Sequence, residues 1–336
     1  MPNNNIKLSL KNIIAPPIPM AVLMVFGILL VWIAGFGYET KTSQVQFSSP
    51  MAVTLQQFVL SNHFLANLIS LVIVFFNAFL IAQLNNKFTI IRTRSFLPVL
   101  VFLMLIAAWS SIHTMICAHM ALTFLLVSLF VFFDMYRNRN ASEQAFLGTL
   151  LIAVASLFAE PFILFVPICW LGFVRFNSFS LRTFLASLFG LLAPWVIYMA
   201  IRVYMQPDML WISFLLKGFY VGLPFIELPL HEIIYMSATS LIIIIGLAGM
   251  YSNLHSDAIQ TRAKLNFLVY LLVAAFVFSM LFIYQFAVFL PVVALCYALL
   301  ISHPFTLKST NFFSILFIVF IIINVAFVIA SVILSK

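Results

Sequence analysis

Long runs of apolar residues separated by short polar connections extend along nearly the whole chain. The first run, 18–37, is about 20 residues long, and a helix of that length crosses a hydrocarbon layer of about 30 Å. The runs lack the alternation of apolar and polar positions, over ~10 residues, that is typical of membrane β-strands. We therefore predict an all-α polytopic transmembrane helix bundle. Its spans, about eleven, are 18–37, 64–84, 95–111, 114–136, 144–158, 161–176, 183–204, 231–251, 265–284, 286–302 and 311–334.

Composition supports a membrane protein. Hydrophobic residues make up 65% of the 336 residues and charged residues 7%, whereas a soluble domain carries about 25% charged residues. The mean hydropathy is +1.20. No small-residue cleavage site follows 18–37, so we interpret this run as an uncleaved first span rather than a signal peptide.

The few charged residues are distributed unevenly among the connections between the predicted spans. If the spans are as predicted, twelve of the sixteen Lys and Arg residues fall in alternate connections, and five of the eight acids fall on the other side. Cytoplasmic loops are enriched in Lys and Arg, so the N-terminus is predicted in the cytoplasm and the C-terminus outside. The same sorting explains the basic pI of about 9.5 without a nucleic-acid partner. The twelve are Lys7, Lys11, Lys87, Arg92, Arg94, Arg137, Arg139, Arg175, Arg182, Arg262, Lys264 and Lys308.

We interpret 1–336 as a single membrane domain with three notable segments outside the spans. Residues 1–17 are predicted to lie on the cytoplasmic surface as an amphipathic segment. The first external loop, 38–63, and the second external segment, 205–230, are the two long outer connections. Irregular backbone near a membrane is tolerated where it lines a cavity, so both are candidates for the walls of one external site.

Two acids are candidate catalytic groups on the outer face. Glu39 follows the first span directly, where a carboxylate would suit a general base or a divalent cation, although a solvated loop acid is the alternative. Glu160 lies in a short turn before Pro161. An acid there stabilises a helix N-terminus, and it would also suit a cavity facing outward.

Two cations on the cation-poor face are candidate phosphate ligands. Arg202 is in the last turn of a predicted span and Lys217 is in the second external segment. Guanidinium groups bind phosphate in a bidentate manner. The alternative for Arg202 is a side chain that extends to the interface beside a helix C-terminus.

Histidines and cysteines do not predict a metal site. His113 and His119 are six residues apart, which places them on different helical faces, so hydrogen-bonded or interfacial side chains are expected. His231 and Glu232 open a span and are candidate cavity residues, with helix capping as the alternative. The three cysteines lie in or beside apolar runs without CxxC spacing, which favours buried apolar roles.

The stretch from Asn140 to Met205, which contains ASEQAFLGTLL and ends IYMAIRVYM, resembles an uncharacterised family of multi-spanning inner-membrane proteins of Bacteroidota. The preceding NNKFTIIRTRSF and DMYRNRN segments resemble the same family. This resemblance implies the inner membrane of a bacterium as the location.

The layout also resembles the membrane module of the GT-C glycosyltransferases, which use polyprenyl-phosphate-linked sugars. It implies Glu39 as the base toward an acceptor hydroxyl, Arg202 and Lys217 as ligands of the lipid phosphate, and Glu160 with His113 as cavity residues. The chain departs from that layout in lacking an adjacent acidic pair after the first span and in having Glu160 where a Lys is common. A non-catalytic subunit of an envelope complex, with membrane-protein partners, and a transporter or flippase therefore stay open as alternatives. No cofactor is identified, and a divalent cation stays open.

Overall fold

The computed structural model describes residues 25–32, 50–91, 95–205, 229–282, 285–307 and 311–334, and this part of the chain is all-helical. We number its α-helices α1 to α12. They are α1 (25–32), α2 (Pro50–Ser61), α3 (His63–Phe88), α4 (Leu97–Ala108), α5 (Ile116–Asp134), α6 (Ser142–Phe158), α7 (Phe165–Arg175), α8 (Leu181–Met205), α9 (Leu230–Asn253), α10 (Ile259–Leu281), α11 (Phe286–Leu307) and α12 (Asn311–Leu334). Short 3-10 helices at Ser110–Ile112, Glu160–Leu164 and Leu254–Ser256 connect some of them.

Seven of the described helices are long and apolar enough to cross a membrane: α3, α5, α8, α9, α10, α11 and α12. Each coincides with a predicted span. Three other predicted spans are shorter helices, since α4 has 12 residues, α6 has 17 and α7 has 11. Only 25–32 of the first predicted span is described, so the number of eleven spans stays a prediction.

Helix α11 is the centre of the bundle. Within an apolar stretch of 18 residues in this helix, 94% of the residues are buried. Helices α4, α5, α9, α10 and α12 pack around it. Its side chains from Leu295 to Ile301 are at most 3% exposed. A helix that is apolar on all sides and sits inside the bundle satisfies its backbone hydrogen bonds internally, as an apolar environment requires.

The outer surface of the bundle is apolar. In the apolar stretch of α8 only 17% of the residues are buried, and Leu181 and Phe189 are 73% and 66% exposed. Ile244 on α9 and Ile333 on α12 are each 65% exposed. A monomeric soluble protein rarely exposes a contiguous apolar surface of this kind. These helices are consistent with an integral membrane protein.

One end of the bundle collects cations, and we call it the basic end. The ammonium group of Lys87, at the end of α3, lies 2.7 Å from the Asp134 carboxylate at the end of α5. The Nζ atom of Lys264, near the start of α10, lies 4.4 Å from the centre of the Phe88 ring. Residues from connections that are far apart in sequence therefore meet here, as the charge sorting predicts.

The opposite end is aromatic, and we call it the aromatic end. The ring of Trp109, after α4, lies 5.8 Å from Tyr235 of α9, 5.4 Å from Phe286 of α11 and 5.3 Å from Phe327 of α12. Aromatic pairs at these distances contribute about 0.5–1.5 kcal/mol each beyond their buried area. The cluster ties the ends of four helices together.

Helices α6 and α8 pack closely at Gly190. A methyl group at this position would overlap the carbonyl oxygen of Phe146 and the hydroxyl of Thr149. Small residues allow such close backbone approach between membrane helices, where lipid supplies no hydrophobic driving force. Gly190 therefore sets the distance between α6 and α8.

We predict that Gly190→Ala lowers the free energy of unfolding by about 1–3 kcal/mol. The added methyl group would displace the backbone oxygen of Phe146, which requires a shift of the α6 backbone. Thermal unfolding in detergent measures the effect. Gly27→Ala is the matched control, since nothing lies within 4 Å of its added methyl group. Equal melting temperatures for the two variants would contradict the role of Gly190.

Candidate functional site: an apolar cleft between two helices

A cleft of about 250 Å³ opens between α9 and α10, with α4 and α11 behind it. It occupies the half of these helices nearer the aromatic end, where α4 and α10 finish and α9 and α11 begin. Ile244 of α9 and Val273 and Val277 of α10 line it and are 65%, 54% and 44% exposed. The cleft is therefore open at the surface of the bundle, between the two helices.

The lining is apolar except for five hydroxyl groups. These belong to Tyr235, Thr239, Ser240, Ser279 and Tyr297. The hydroxyl of Ser279 donates to the Phe276 carbonyl within its own helix, at 2.7 Å. None of the described lining residues is charged. The cleft thus suits a hydrocarbon chain rather than a polar solute.

The two tyrosines of the cleft differ in their hydrogen bonding. The Tyr235 hydroxyl donates to Asn324 Oδ1 of α12 at 2.8 Å. Tyr297, which is 3% exposed, has a hydroxyl without a hydrogen-bond partner in the described structure. An unsatisfied buried hydroxyl costs about 1–3 kcal/mol, and a bound group that accepts a hydrogen bond from it would remove that cost.

His231 and Glu232 lie one helical turn beyond Tyr235, at the aromatic end of the cleft. The His231 ring is 6.0 Å from the ring of Phe327, which itself stacks on Tyr235 at 4.0 Å. The backbone N–H of Glu232 donates to the Pro229 carbonyl at 3.0 Å, so the residue belongs to the first turn of α9. Both residues are thus in the first turn of α9, and neither lines the cleft.

His113 occupies the turn before α5 and does not face the cleft. Its ring stacks on Trp32 of α1 with centroids 3.8 Å apart, and its Nε2 donates to the Ala107 carbonyl at 3.2 Å. Burial lowers the pKa of His113 to about 4, so the ring is neutral at pH 7. This neutral stacked ring packs α1 against the turn between α4 and α5.

His119 belongs to a separate polar network between α3 and α5. Its Nε2 donates to the Ile112 carbonyl at 3.0 Å, while its own carbonyl accepts from Asn77 Nδ2 at 3.0 Å. The Thr123 hydroxyl donates to Asn77 Oδ1 at 2.8 Å. As the sequence predicts, each of the two histidines is hydrogen-bonded within the bundle.

Glu160 is fully buried at the start of the 3-10 helix Glu160–Leu164. It does not line the cleft. His231 and Glu232 do not line it either, so the cleft contains none of these three candidates.

Several predicted site residues fall outside the described residues. Glu39, Lys217 and most of the two external segments are among them. The described parts of those segments are helical: α2 occupies the end of the first and packs on α6, and α9 begins at the end of the second. Arg202 is in the last turn of α8, as predicted, and its side chain is not described.

The cleft was missed by sequence reasoning. Tyr235 and Tyr297 are single tyrosines inside apolar runs, which the pattern does not distinguish from packing residues. The spacing of Tyr235, Thr239 and Ser240 on one face of α9 was the one available signal, since residues four apart in a helix share a face.

No group of three His, Cys, Asp or Glu residues that would hold a metal ion occurs within the described ranges. Cys117, Cys169 and Cys296 are all buried free thiols. A comparison with known protein families, with curated proteins and with solved structures finds no match for this chain. The assignment of a function therefore depends on the geometry of the cleft.

We predict opposite effects of the same substitution at the two tyrosines. Tyr297→Phe removes a hydroxyl without a partner and should leave the free energy of unfolding unchanged or raise it by about 1 kcal/mol. Tyr235→Phe deprives Asn324 of a donor and should lower it by about 1–2 kcal/mol. Thermal unfolding of lipid-free protein in detergent compares them, and a larger loss for Tyr297→Phe would refute the hydrogen-bond assignment.

Proposed function

We propose that the protein binds the hydrocarbon chain of a membrane lipid in the cleft between α9 and α10. The lipid is a polyprenyl phosphate that carries a sugar, and the protein transfers the sugar at the aromatic end, as a GT-C-like glycosyltransferase. The observation that carries the first part is an uncharged cleft of about 250 Å³ that opens to the apolar surface of a membrane-type bundle.

The shape of the cleft favours a chain that enters sideways. Its exposed residues lie on α9 and α10, and its buried side is formed by α4 and the central helix α11. A chain in the bilayer would reach this opening without crossing a polar layer. Its head group would then lie near the aromatic end, beside His231 and Glu232.

The hydroxyl of Tyr297 favours an unsaturated chain over a saturated one. This hydroxyl is buried within the cleft wall and has no partner among the described residues. A saturated acyl chain has no acceptor for this hydroxyl, whereas the double bonds of a polyprenyl chain have π electrons that accept a weak hydrogen bond from an O–H donor. Such contacts are weak, so they contribute to selectivity rather than to most of the affinity.

The catalytic part of the proposal assigns the base to Glu39 and the phosphate contacts to Arg202 and Lys217. These assignments come from the resemblance to GT-C enzymes and from the position of the residues on the predicted outer face. The location follows in the same way: the inner membrane of a bacterium, with the N-terminus in the cytoplasm, the C-terminus outside and the reaction on the periplasmic side.

We predict that Ser240→Phe, which fills the cleft, reduces the amount of co-purifying polyprenyl phosphate at least about tenfold. Lipid extraction and mass spectrometry measure the lipid per protein. Ser237→Phe is the matched control, because Ser237 is exposed on the same helix and does not line the cleft. Equal lipid content in both variants would argue against the cleft as the binding site.

We predict that Glu39→Gln lowers sugar transfer by about 10²–10⁴-fold and leaves lipid retention unchanged, since general-base assistance has that magnitude. The assay follows a radiolabelled sugar from polyprenyl phosphate to an acceptor in reconstituted vesicles. Unchanged transfer by the variant would overturn the assignment of Glu39, and retained lipid would still support the cleft.

A second candidate function is a non-catalytic, lipid-binding subunit of an envelope complex. It is favoured by the lining of the cleft, where the described residues offer hydroxyl groups but no charged side chain for proton transfer. It predicts a stable co-purifying membrane protein and no sugar transfer by this chain alone.

A further inference from the structure

At the basic end, a second cavity of about 520 Å³ lies between the ends of α5 and α7 and the start of α10. It is at the opposite end of α10 from the cleft, so it does not depend on the proposed function. Three of its ten lining residues are arginines, namely Arg137, Arg175 and Arg262, and none is acidic.

The three guanidinium groups are not neutralised by neighbouring carboxylates. The nearby acid Asp134 is paired with Lys87, and Asp257 lies 3.1 Å from His303. No ion pair of the three arginines occurs in the described structure. The cavity therefore has a formal charge of +3, which favours an anion.

The backbone around the cavity is held in an uncommon conformation. Arg137 and Asn177, both in its lining, have φ angles of 61° and 54°, in the left-handed region. The N–H of Arg137 donates to the Phe176 carbonyl at 2.8 Å, which joins the end of α5 to the end of α7. Both residues follow the end of a helix, where a residue in the left-handed region commonly terminates the helix, and the contact between Arg137 and Phe176 holds the two helix ends beside the cavity.

The third arginine is also oriented by the backbone. Arg262 Nε donates to the carbonyl oxygen of Asp257 at 3.0 Å, which leaves its two terminal nitrogens for a ligand. Arg262 is partly buried, whereas Arg137 and Arg175 are exposed. Arginine donors in this geometry suit the paired oxygens of a phosphate.

One wall of the cavity is apolar and faces outward. Leu171 and Val174 of α7 are 54% and 57% exposed, and Tyr270 of α10 is 39% exposed. They continue from the arginines along the sides of two helices, toward the middle of the bundle. A lipid with its phosphate at the arginines would lay its chains along this wall, which a free phosphate would not use.

We propose that this cavity is a binding site for the phosphate of an anionic phospholipid at the basic end of the protein. Basic pockets between membrane helices bind such head groups on the cytoplasmic side. Arginines that only set the topology of the protein would not need to line one cavity. Arg139 and Arg182 lie in the same connections as Arg137 and Arg175, respectively, and they do not line it.

The test compares two double variants of equal charge. R137Q/R175Q removes two arginines from the cavity, and R139Q/R182Q removes one cation from each of the same two connections outside it. Full-length protein in mild detergent is titrated with phosphatidylglycerol or with phosphatidylcholine of identical chains. Native mass spectrometry counts the bound lipid, and thermal unfolding reports the stabilisation.

We expect wild type and R139Q/R182Q to bind phosphatidylglycerol at least about tenfold more tightly than phosphatidylcholine. R137Q/R175Q should lose this preference. R175Q alone provides a milder variant if the double variant unfolds, because Arg175 is exposed at a helix end. Equal losses in both double variants, or no preference in wild type, would overturn the proposal.

A titration with inorganic phosphate distinguishes a lipid phosphate from a free phosphate ion as the ligand. Millimolar phosphate without lipid should stabilise the wild-type protein much less than phosphatidylglycerol does, because it makes no contact with the apolar wall. Equal stabilisation by phosphate alone would overturn the lipid assignment in favour of a free anion.

Discussion

The burial of α11 is the constraint on which the rest of the structure depends. A helix enclosed on all sides by apolar side chains has no solvent for its polar groups, so a polar group there lowers stability unless it finds a partner inside the protein. Near its end, His303 is fully buried and lies 3.1 Å from Asp257, in the turn between α9 and α10. That contact joins the central helix to the two helices that form the cleft.

The two ends of the bundle have different chemistry because different interactions hold them together. At the basic end, cations lie over aromatic rings or pair with acids, as Lys264 and Lys87 do around Phe88. At the aromatic end, stacked rings such as Tyr235 and Phe327 bring helix ends together without charge. Helix α10 runs between these ends and lines one cavity near each of them. A lipid head group would therefore meet ionic contacts at one end and rings and hydroxyls at the other.

Hydrophobic runs and charge sorting were sufficient to predict the helical class and the grouping of connections at common ends. The contacts between Lys87 and Asp134 and between Arg137 and Phe176 agree with that grouping. Helix lengths were less predictable, since α4 stops after 12 residues, before the 3-10 turn Ser110–Ile112, and α7 has only 11 residues and follows the 3-10 helix Glu160–Leu164. The cleft was not predictable, because a tyrosine inside an apolar run has the same pattern whether it packs in the core or lines a cavity.

The composition of the cleft separates lipid binding from chemistry. Its described lining contains hydroxyl groups and apolar side chains, which hold a chain but do not take up a proton at neutral pH. Glu160 is a buried acid away from the lining, and His113 is neutral and stacked on Trp32. This lining leaves the acid–base and phosphate-binding groups of the proposed sugar transfer to other residues, for which we propose Glu39, Arg202 and Lys217. In that case lipid binding and sugar transfer are separate tasks, one carried out by the helical cleft and the other by residues outside its lining.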